Sequence, residues 1–317
     1  MICHGATSCC AAIFVYDEIF LSTIWAAGAI QGTLRMAGKV WFITGTSKGF
    51  GRVWAEAALA RGDRVAASAR DVKALAPLLK RYGELVAPIR LDVTDRTAVQ
   101  TAIAEANARF GRLDVLINNA GYGLFGAIEE VSEAEARAQL ETNLFGALWV
   151  TQAALPIMRA QGSGHIIQVS SIGGVNAFPT VGLYHASKWA LEGFSQSLAA
   201  EVAGFGVKVT IVEPGGYATD WGGPSAKRAA QIPAYDGARA AIAAFRSGNI
   251  PGDPEATGWA ILKIVDAADP PLRIFFGSGG LSMTRAEYAK RIAVWESWND
   301  VSLEAQGALA LKPPPKI

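Results

Sequence analysis

From Lys39 to Phe276 the chain alternates between short apolar runs and longer stretches in which apolar residues return every three or four positions. The runs Lys39–Thr44 (KVWFIT), Arg64–Ala69 (RVAASA), Leu85–Leu91 (LVAPIRL), Leu113–Ile117 (LDVLI), Ile166–Val169 (IIQV), Val207–Val212 (VKVTIV) and Leu272–Phe276 (LRIFF) have strand length and β-branched character. The helical period appears around Trp54, Ala55, Ala58 and Leu59 up to Gly62, and again over Ala98–Phe110 and Glu133–Arg159. It returns from Tyr184 through Phe194, and over Gly237–Arg246, Glu255–Ala267 and Arg285–Trp298. Strands separated by helices at this pitch predict an α/β fold with a parallel sheet and right-handed crossovers. No internal repeat and no second domain interrupts the pattern.

Both ends fall outside it. Ala11–Ile30 is apolar, but Asp17 and Glu18 sit inside it, and each acidic residue costs about 2.5 to 3.5 kcal/mol near a bilayer centre. No Lys or Arg precedes Arg35, so the basic start of a secretory signal is missing. Residues 1–35 therefore read as an upstream extension, with an amphipathic, membrane-touching helix as the alternative. Met36 opens a single domain expected to run to residue 299, and residues 300–317, ending in Pro313–Pro315, read as a disordered tail.

Composition narrows the classes. Hydrophobic residues make up 51% of the 317, charged residues 18%, and the net charge is +1 without a basic run. A core is affordable, and neither a nucleic-acid surface nor an anionic-membrane surface is indicated. Cys3, Cys9 and Cys10 are all the cysteines, so the body has no disulfide framework and no thiolate metal site, as suits a reducing cytoplasm. His4, His165 and His185 are too scattered for a metal cluster, and no metal is expected.

The first strand runs into Gly45-Thr46-Ser47-Lys48-Gly49-Phe50-Gly51 and then a helix. That order converges backbone N–H groups and a helix N-terminus on one point, a ready pyrophosphate site; a plain strand-to-helix turn is the bland alternative. Ala69 and Arg70 stand at the end of the second strand, where a site selecting the 2′-hydroxyl carries an acidic residue. Arg70 and Lys48 are thus candidates to hold a 2′-phosphate, against the alternative of two solvated charges. The glycine loop, Asp92, Asn118, Ser171 and Pro214-Gly215 all follow strand ends and should meet along one rim of the sheet.

Tyr184 and Lys188 lie one helical turn apart, after a loop containing Ser170, Ser171, Gly173, Gly174 and Pro179. A phenol beside an ammonium suits proton exchange; an ordinary helical face with a half-buried Tyr is the alternative. Past Thr219 the chain turns irregular, and Tyr217, Trp221 and Phe178 are candidates to line an apolar pocket. Tyr288, Trp295 and Trp298 are candidates for a pocket wall or a subunit contact.

Over Lys39–Phe276 the sequence resembles the short-chain dehydrogenase/reductase family. The resemblance is carried by TGTSKGFG, Asp92-Val93, NNAG at Asn118–Gly121, Asn143 within TNLFG, Ser171, YHASK, and Pro214-Gly215 followed by Thr219. Ser171 stands 13 residues before Tyr184, the spacing usual for that family's serine. The resemblance implies a doubly wound Rossmann-type sheet of about seven strands and hydride transfer between a nicotinamide and a carbonyl or alcohol carbon. It assigns Tyr184 as general acid and base, Lys188 as its charged partner and ribose ligand, Ser171 as the group orienting the substrate oxygen, and Asn143 as holder of a relay water. Cofactor contacts are implied at Gly45, Ser47, Lys48, Gly49, Phe50, Gly51, Arg70, Asp92, Val93, Asn119, Ala120, Gly121, Tyr184, Lys188, Pro214, Gly215 and Thr219, with NADP(H) preferred over NAD(H). It also implies a substrate lid near residues 215–250, a lipophilic small-molecule substrate and a homo-oligomer, dimer or tetramer. A nucleotide-binding regulator that has lost catalysis, and an isomerase or dehydratase using the same Tyr, are the competing functions.

Overall fold

Seven parallel strands in the order β3-β2-β1-β4-β6-β7-β9 form the centre of the protein. The computed structural model describes residues 38–248 and 250–307, and from Lys39 onward the chain is one compact unit. The extension expected at 1–35, and residues 308–317 of the expected tail, lie outside the described residues. The strands are β1 (Val40–Ile43), β2 (Arg64–Ala69), β3 (Val86–Arg90), β4 (Val115–Asn118), β6 (Gly164–Val169), β7 (Val207–Pro214) and β9 (Arg273–Phe276). Each predicted run becomes one of them, within a residue or two at the ends.

Helices cover both faces. The pleat sends successive side chains to opposite sides, so Trp41 and Ile43 join one apolar cluster and Phe42 the other, all fully buried. On the first face lie α1 (Gly49–Ala60), α2 (Ala76–Tyr82) and α8 (Thr257–Asp266). Trp54 Nε1 donates to Thr257 Oγ1 at 2.7 Å and ties α1 to α8. On the second lie α3 (Arg96–Phe110), α5 (Gly146–Gln161) and α6 (Gly182–Val202). Burial on both faces explains why the strands read as continuous apolar runs rather than as alternating ones.

The order of the strands reverses between β1 and β4. In an open parallel sheet the loops leaving two such strands diverge to opposite faces and open a crevice at their carboxyl ends. The glycine loop leaves β1 there, and NNAG leaves β4.

Three features depart from expectation. The long helix expected over Glu133–Arg159 is α4 (Glu133–Leu140) and α5 joined by a π turn at Glu141–Phe145 that contains Asn143. Helix α9 (Gly280–Ser297) is followed by α10 (Asn299–Gln306), so helical structure enters the stretch read as a disordered tail. The region expected to be a lid is also structured in part. It holds a turn at Asp220–Gly222, a short strand β8 (Lys227–Arg228) paired in parallel with β5 (Leu124–Phe125), and α7 (Asp236–Ser247). Glu130, buried, anchors its base by accepting from the backbone N–H groups of Ile232 and Ala127, both at 2.7 Å, and by pairing with Arg239.

Candidate active site

The glycine loop and the NNAG loop are stitched together across the crevice. Thr44 Oγ1 accepts from Asn119 N and Ala120 N at 2.9 Å each, while Asn119 Nδ2 donates to the carbonyls of Thr44 at 2.9 Å and Gly45 at 3.1 Å. At Gly51 a Cβ would fall 2.4 Å from Gly45 O and 2.5 Å from Asn119 Nδ2, so only hydrogen fits. Gly49 has φ +58°, and a Cβ there would meet nothing within 4 Å. The loop is thus close-packed behind and open in front. Helix α1 starts at this open side with no side-chain cap and no acidic residue in its first turn. Its N–H groups and dipole face a space that suits an anionic diphosphate, and the residues present fit a dinucleotide. Gly51→Ala is expected to destabilise the domain by about 1 to 3 kcal/mol through overpacking and to weaken NADPH binding, read from the urea midpoint and a fluorescence titration.

The expected contacts around the adenosine half fall on this rim. Ala69 closes β2 and is buried; Arg70 is exposed beside it, and the Asp71 carboxylate is turned to the following turn, accepting from Lys73 N at 2.9 Å. Asp92 accepts from Thr94 N at 3.0 Å and Thr94 Oγ1 at 2.8 Å, and Val93 is buried against Gly146. Two side chains depart from expectation. Lys48 Nζ is paired with Asp220 Oδ2 at 2.7 Å instead of standing free. Asn118 turns inward from the rim, its Nδ2 donating to Thr151 Oγ1 at 2.9 Å and Gln168 Oε1 at 3.0 Å.

Tyr184 and Lys188 come from the first two turns of α6, both buried. Lys188 Nζ lies 5.9 Å from the centre of the Tyr184 ring and donates to Val169 O at 2.7 Å. Ser171, extended just past β6, has its hydroxyl beside the Tyr184 phenol and accepts from Gly173 N at 3.0 Å. Asn143 is brought alongside by the π turn. Its Oδ1 accepts from Tyr122 N at 3.1 Å, and its Nδ2 donates to Tyr122 O at 3.0 Å and Ser187 Oγ at 3.1 Å. Gly121 runs close enough that a Cβ would sit 3.1 Å from Asn143 Oδ1 and 3.7 Å from Lys188 Nζ. Ser171, Tyr184, Lys188 and Asn143 therefore form one cluster beside the crevice.

Burial governs the electrostatics. It pushes the Tyr184 phenol up to about 12, with the Ser171 hydroxyl acting against it, and brings the Lys188 ammonium down to about 8, with the Glu192 carboxylate acting against it. For both groups desolvation sets the direction in the protein alone.

Over the cluster lies Trp221, its ring 4.8 Å from that of Tyr184 and 5.2 Å from that of Phe125. Thr219 Oγ1 accepts from Trp221 N at 3.5 Å and opens the turn that carries it. Pro214 ends β7, and Gly215 N donates to Phe276 O at 2.9 Å. Of the three aromatics expected in a pocket, Trp221 faces Tyr184. Tyr217 instead packs edge-on against Phe50 at 5.0 Å, and the Phe178 ring lies 5.5 Å from that of His185. Tyr288, Trp295 and Trp298 are 37%, 66% and 63% exposed, so among the described residues their rings are left largely uncovered. His185 joins two backbone groups of the loop, with its Nε2 accepting from Phe178 N at 2.9 Å and its Nδ1 bonded to Gly173 O at 2.8 Å. Among the described residues no group of His, Cys, Asp and Glu is arranged to hold a metal.

A doubly wound sheet, an anion-ready glycine loop at its switch point and a Ser-Tyr-Lys-Asn cluster beside it define the class of Rossmann-fold nicotinamide oxidoreductases. Comparison with known proteins gives the particular family. The family described as short chain dehydrogenase matches residues 39–230. The oxidoreductase BOA17 of Botryotinia fuckeliana is 42% identical over 273 residues, which cover 84% of this chain and 98% of that protein. The 3-ketodihydrosphingosine reductase of Bacteroides thetaiotaomicron is 40% identical over 187 residues, 58% of this chain and 66% of that one. Among solved structures, a short-chain dehydrogenase from Streptomyces avermitilis superposes with a TM-score of 0.79 at 41% identity, covering 83% of this chain and 98% of that one. A short-chain dehydrogenase from Burkholderia cenocepacia, solved with NADP, superposes at 0.66 with 26% identity, covering 87% and 99%. The chain belongs to the short-chain dehydrogenase family and is an NAD(P)-dependent oxidoreductase of the CH–OH/C=O type. Among the described residues no helix is long and apolar enough to cross a membrane.

Proposed function

We propose that the protein transfers hydride between NADP(H) and the carbonyl or secondary alcohol of a lipophilic small molecule. The observation that carries this reading is the buried Tyr184–Lys188 pair on α6, with the Ser171 hydroxyl beside the phenol, at the carboxyl ends of the strands next to the glycine loop. Bound nicotinamide supplies or accepts the hydride. In reduction the Ser171 hydroxyl donates to the carbonyl oxygen and holds it, and Tyr184 gives its phenolic proton to that oxygen as negative charge develops. A phenol at about 12 is protonated at neutral pH, so the cluster stands ready as a proton donor. Lys188 places a cation beside the ring and within reach of ribose hydroxyls. Asn143, brought in by the π turn, fixes the Tyr122 backbone against α6 through Ser187.

Trp221 and Phe125, above the phenol, favour an apolar substrate, since they exclude water and offer ring faces instead of hydrogen-bond partners. A relative named for reduction of a 3-keto compound agrees with a ketone substrate. Arg70 and Lys48 support NADP(H). The exposed aromatic face of α9 supports self-association, and the lack of cysteine beyond Cys10 fits a cytoplasmic location. The test is a panel of lipophilic ketones and their secondary alcohols, followed by the absorbance of NADPH. Turnover of at least one pair is expected. Tight NADPH binding with no turnover of any member would favour the silent nucleotide-binding regulator.

A further inference from the structure

Beneath Lys188 lies a second group of buried charges that the proton transfer just described does not use. Glu192 is one turn beyond Lys188 on α6, Glu213 is on β7, and Arg273 is on β9; the two carboxylates are 5% and 1% exposed. Arg273 Nε donates to Glu192 Oε2 at 3.0 Å and lies 3.7 Å from Glu213 Oε1, while its Nη2 donates to Gln196 Oε1 at 2.8 Å. The other oxygen of Glu192 converges with the Ser170 hydroxyl over Gly174, where a Cβ would fall 3.1 Å from Glu192 Oε1 and 2.4 Å from Ser170 Oγ. One guanidinium thus serves two buried carboxylates.

Two buried carboxylates sharing one cation do not both ionise freely. Glu213 takes the proton: burial, then the nearby Glu192 charge, pushes it up to about 8 against the pull of Arg273. Burial raises Glu192 as well, but the Ser170 hydroxyl, Arg273 and Lys188 all act against it, and its contact with Arg273 is the shorter of the two. On its own helix Lys188 has Tyr184 and, one turn on, the buried Glu192 carboxylate, whose charge acts on it; the Val169 carbonyl from β6 accepts from its Nζ, and Gly121 approaches it from across the crevice. Of these, Glu192 alone is anionic. An ammonium brought out of water is not held by a neutral carbonyl alone.

We propose that Glu192 is a positioning residue for the reaction: clamped by Arg273, its carboxylate keeps Lys188 protonated inside the protein. The inference rests on the assignment of Lys188 to the site made above. It deepens that assignment by giving the lysine an anionic support outside the substrate crevice. The support has a direction. A carboxylate one turn away favours the charged lysine, so its removal lowers the pH at which Lys188 loses its proton.

The test is the pH profile of kcat/KM for NADPH-dependent reduction, measured on the parent, Glu192→Gln and Glu192→Asp. The Gln side chain keeps the shape and removes the charge. Its alkaline limb should move to lower pH by about one unit, a figure consistent with one carboxylate at this range. The Asp variant retains the charge, and its limb should stay nearer the parent's. Should Glu192→Gln fail to fold, the double variant Glu192→Gln/Arg273→Met removes carboxylate and guanidinium together and carries a smaller shift in the same direction, since the carboxylate is one helical turn from Lys188. Limbs that coincide in parent and Gln variant, or Asp and Gln variants that behave alike, overturn the proposal and leave Glu192 a structural residue. Tyr184→Phe measured alongside separates the two levels. Parent-like turnover there sinks the assignment of the site, whereas lost turnover with an unmoved Gln limb sinks only the role of Glu192.

Discussion

Tyr184→Phe is expected to lower turnover by about 10² to 10⁴-fold, the usual worth of a positioned general acid or base, with NADPH affinity close to the parent's. The substitution removes one oxygen and keeps the ring, which is 6% exposed and packed against Trp221 and His185. Packing is preserved, so a large fall in rate reports the chemistry and not the fold. Burial holds the phenol well above its ordinary value, and this makes it a donor across the neutral range. Reduction therefore draws on the form already present, whereas alcohol oxidation needs the phenolate and should speed up as pH rises towards that value. Single-turnover rates in both directions, with urea midpoints to confirm that stability is unchanged, decide the matter. A Phe variant that reduces substrate at close to the parent rate would show that the proton comes from elsewhere.

The parts of this site that were legible in the sequence are those fixed by backbone order. Each apolar run became a strand because both faces of a parallel sheet are covered, and the residues that follow β1, β4, β6 and β7 had to reach one rim. The Tyr184–Lys188 spacing survived for the same reason, since one helical turn is a local distance. What stayed hidden depends on which way side chains turn once loops are packed. Tyr217, Trp221 and Phe178 look alike in sequence, yet of the three only Trp221 faces the phenol, because Tyr217 is drawn to Phe50, itself stacked on Trp54, near the start of α1. Asn118 follows a strand end as the other rim residues do, but its amide goes to Thr151 and Gln168 beneath the rim. The π turn at Glu141–Phe145 leaves the helical period almost intact and so gave no signal. Glu192 read as one polar position in a helical face; its meaning comes from Arg273, 81 residues away.

A preference for NADPH over NADH of roughly 10 to 100-fold is expected, each charge-assisted bond to a 2′-phosphate giving about 1.5 to 3 kcal/mol at most. The end of β2 presents Ala69 and the exposed Arg70, and Asp71 is occupied in capping the next turn. The strand end itself therefore offers no carboxylate to the ribose hydroxyls, while the Asp71 charge beside Arg70 takes back part of the gain. Lys48 is less free than its position suggests. Its pair with Asp220 is about half exposed on both sides, and such a pair is worth about 0.2 to 1 kcal/mol, less than a bond to a phosphate. The phosphate should win the lysine, but the net gain is reduced by the pair given up and by the Asp220 charge left nearby. Arg70 carries the larger share, and the preference should lie nearer the lower end of the range. The measurement is kcat/KM with NADPH and with NADH on one ketone, for the parent, Arg70→Ala and Asp220→Asn. Arg70→Ala should lose about tenfold with NADPH, equivalent to about 1.4 kcal/mol, and little with NADH. Asp220→Asn frees Lys48 and should raise the preference. Equal values for the two cofactors in the parent, or a parent that favours NADH, would show that these cations are solvated surface charges after all.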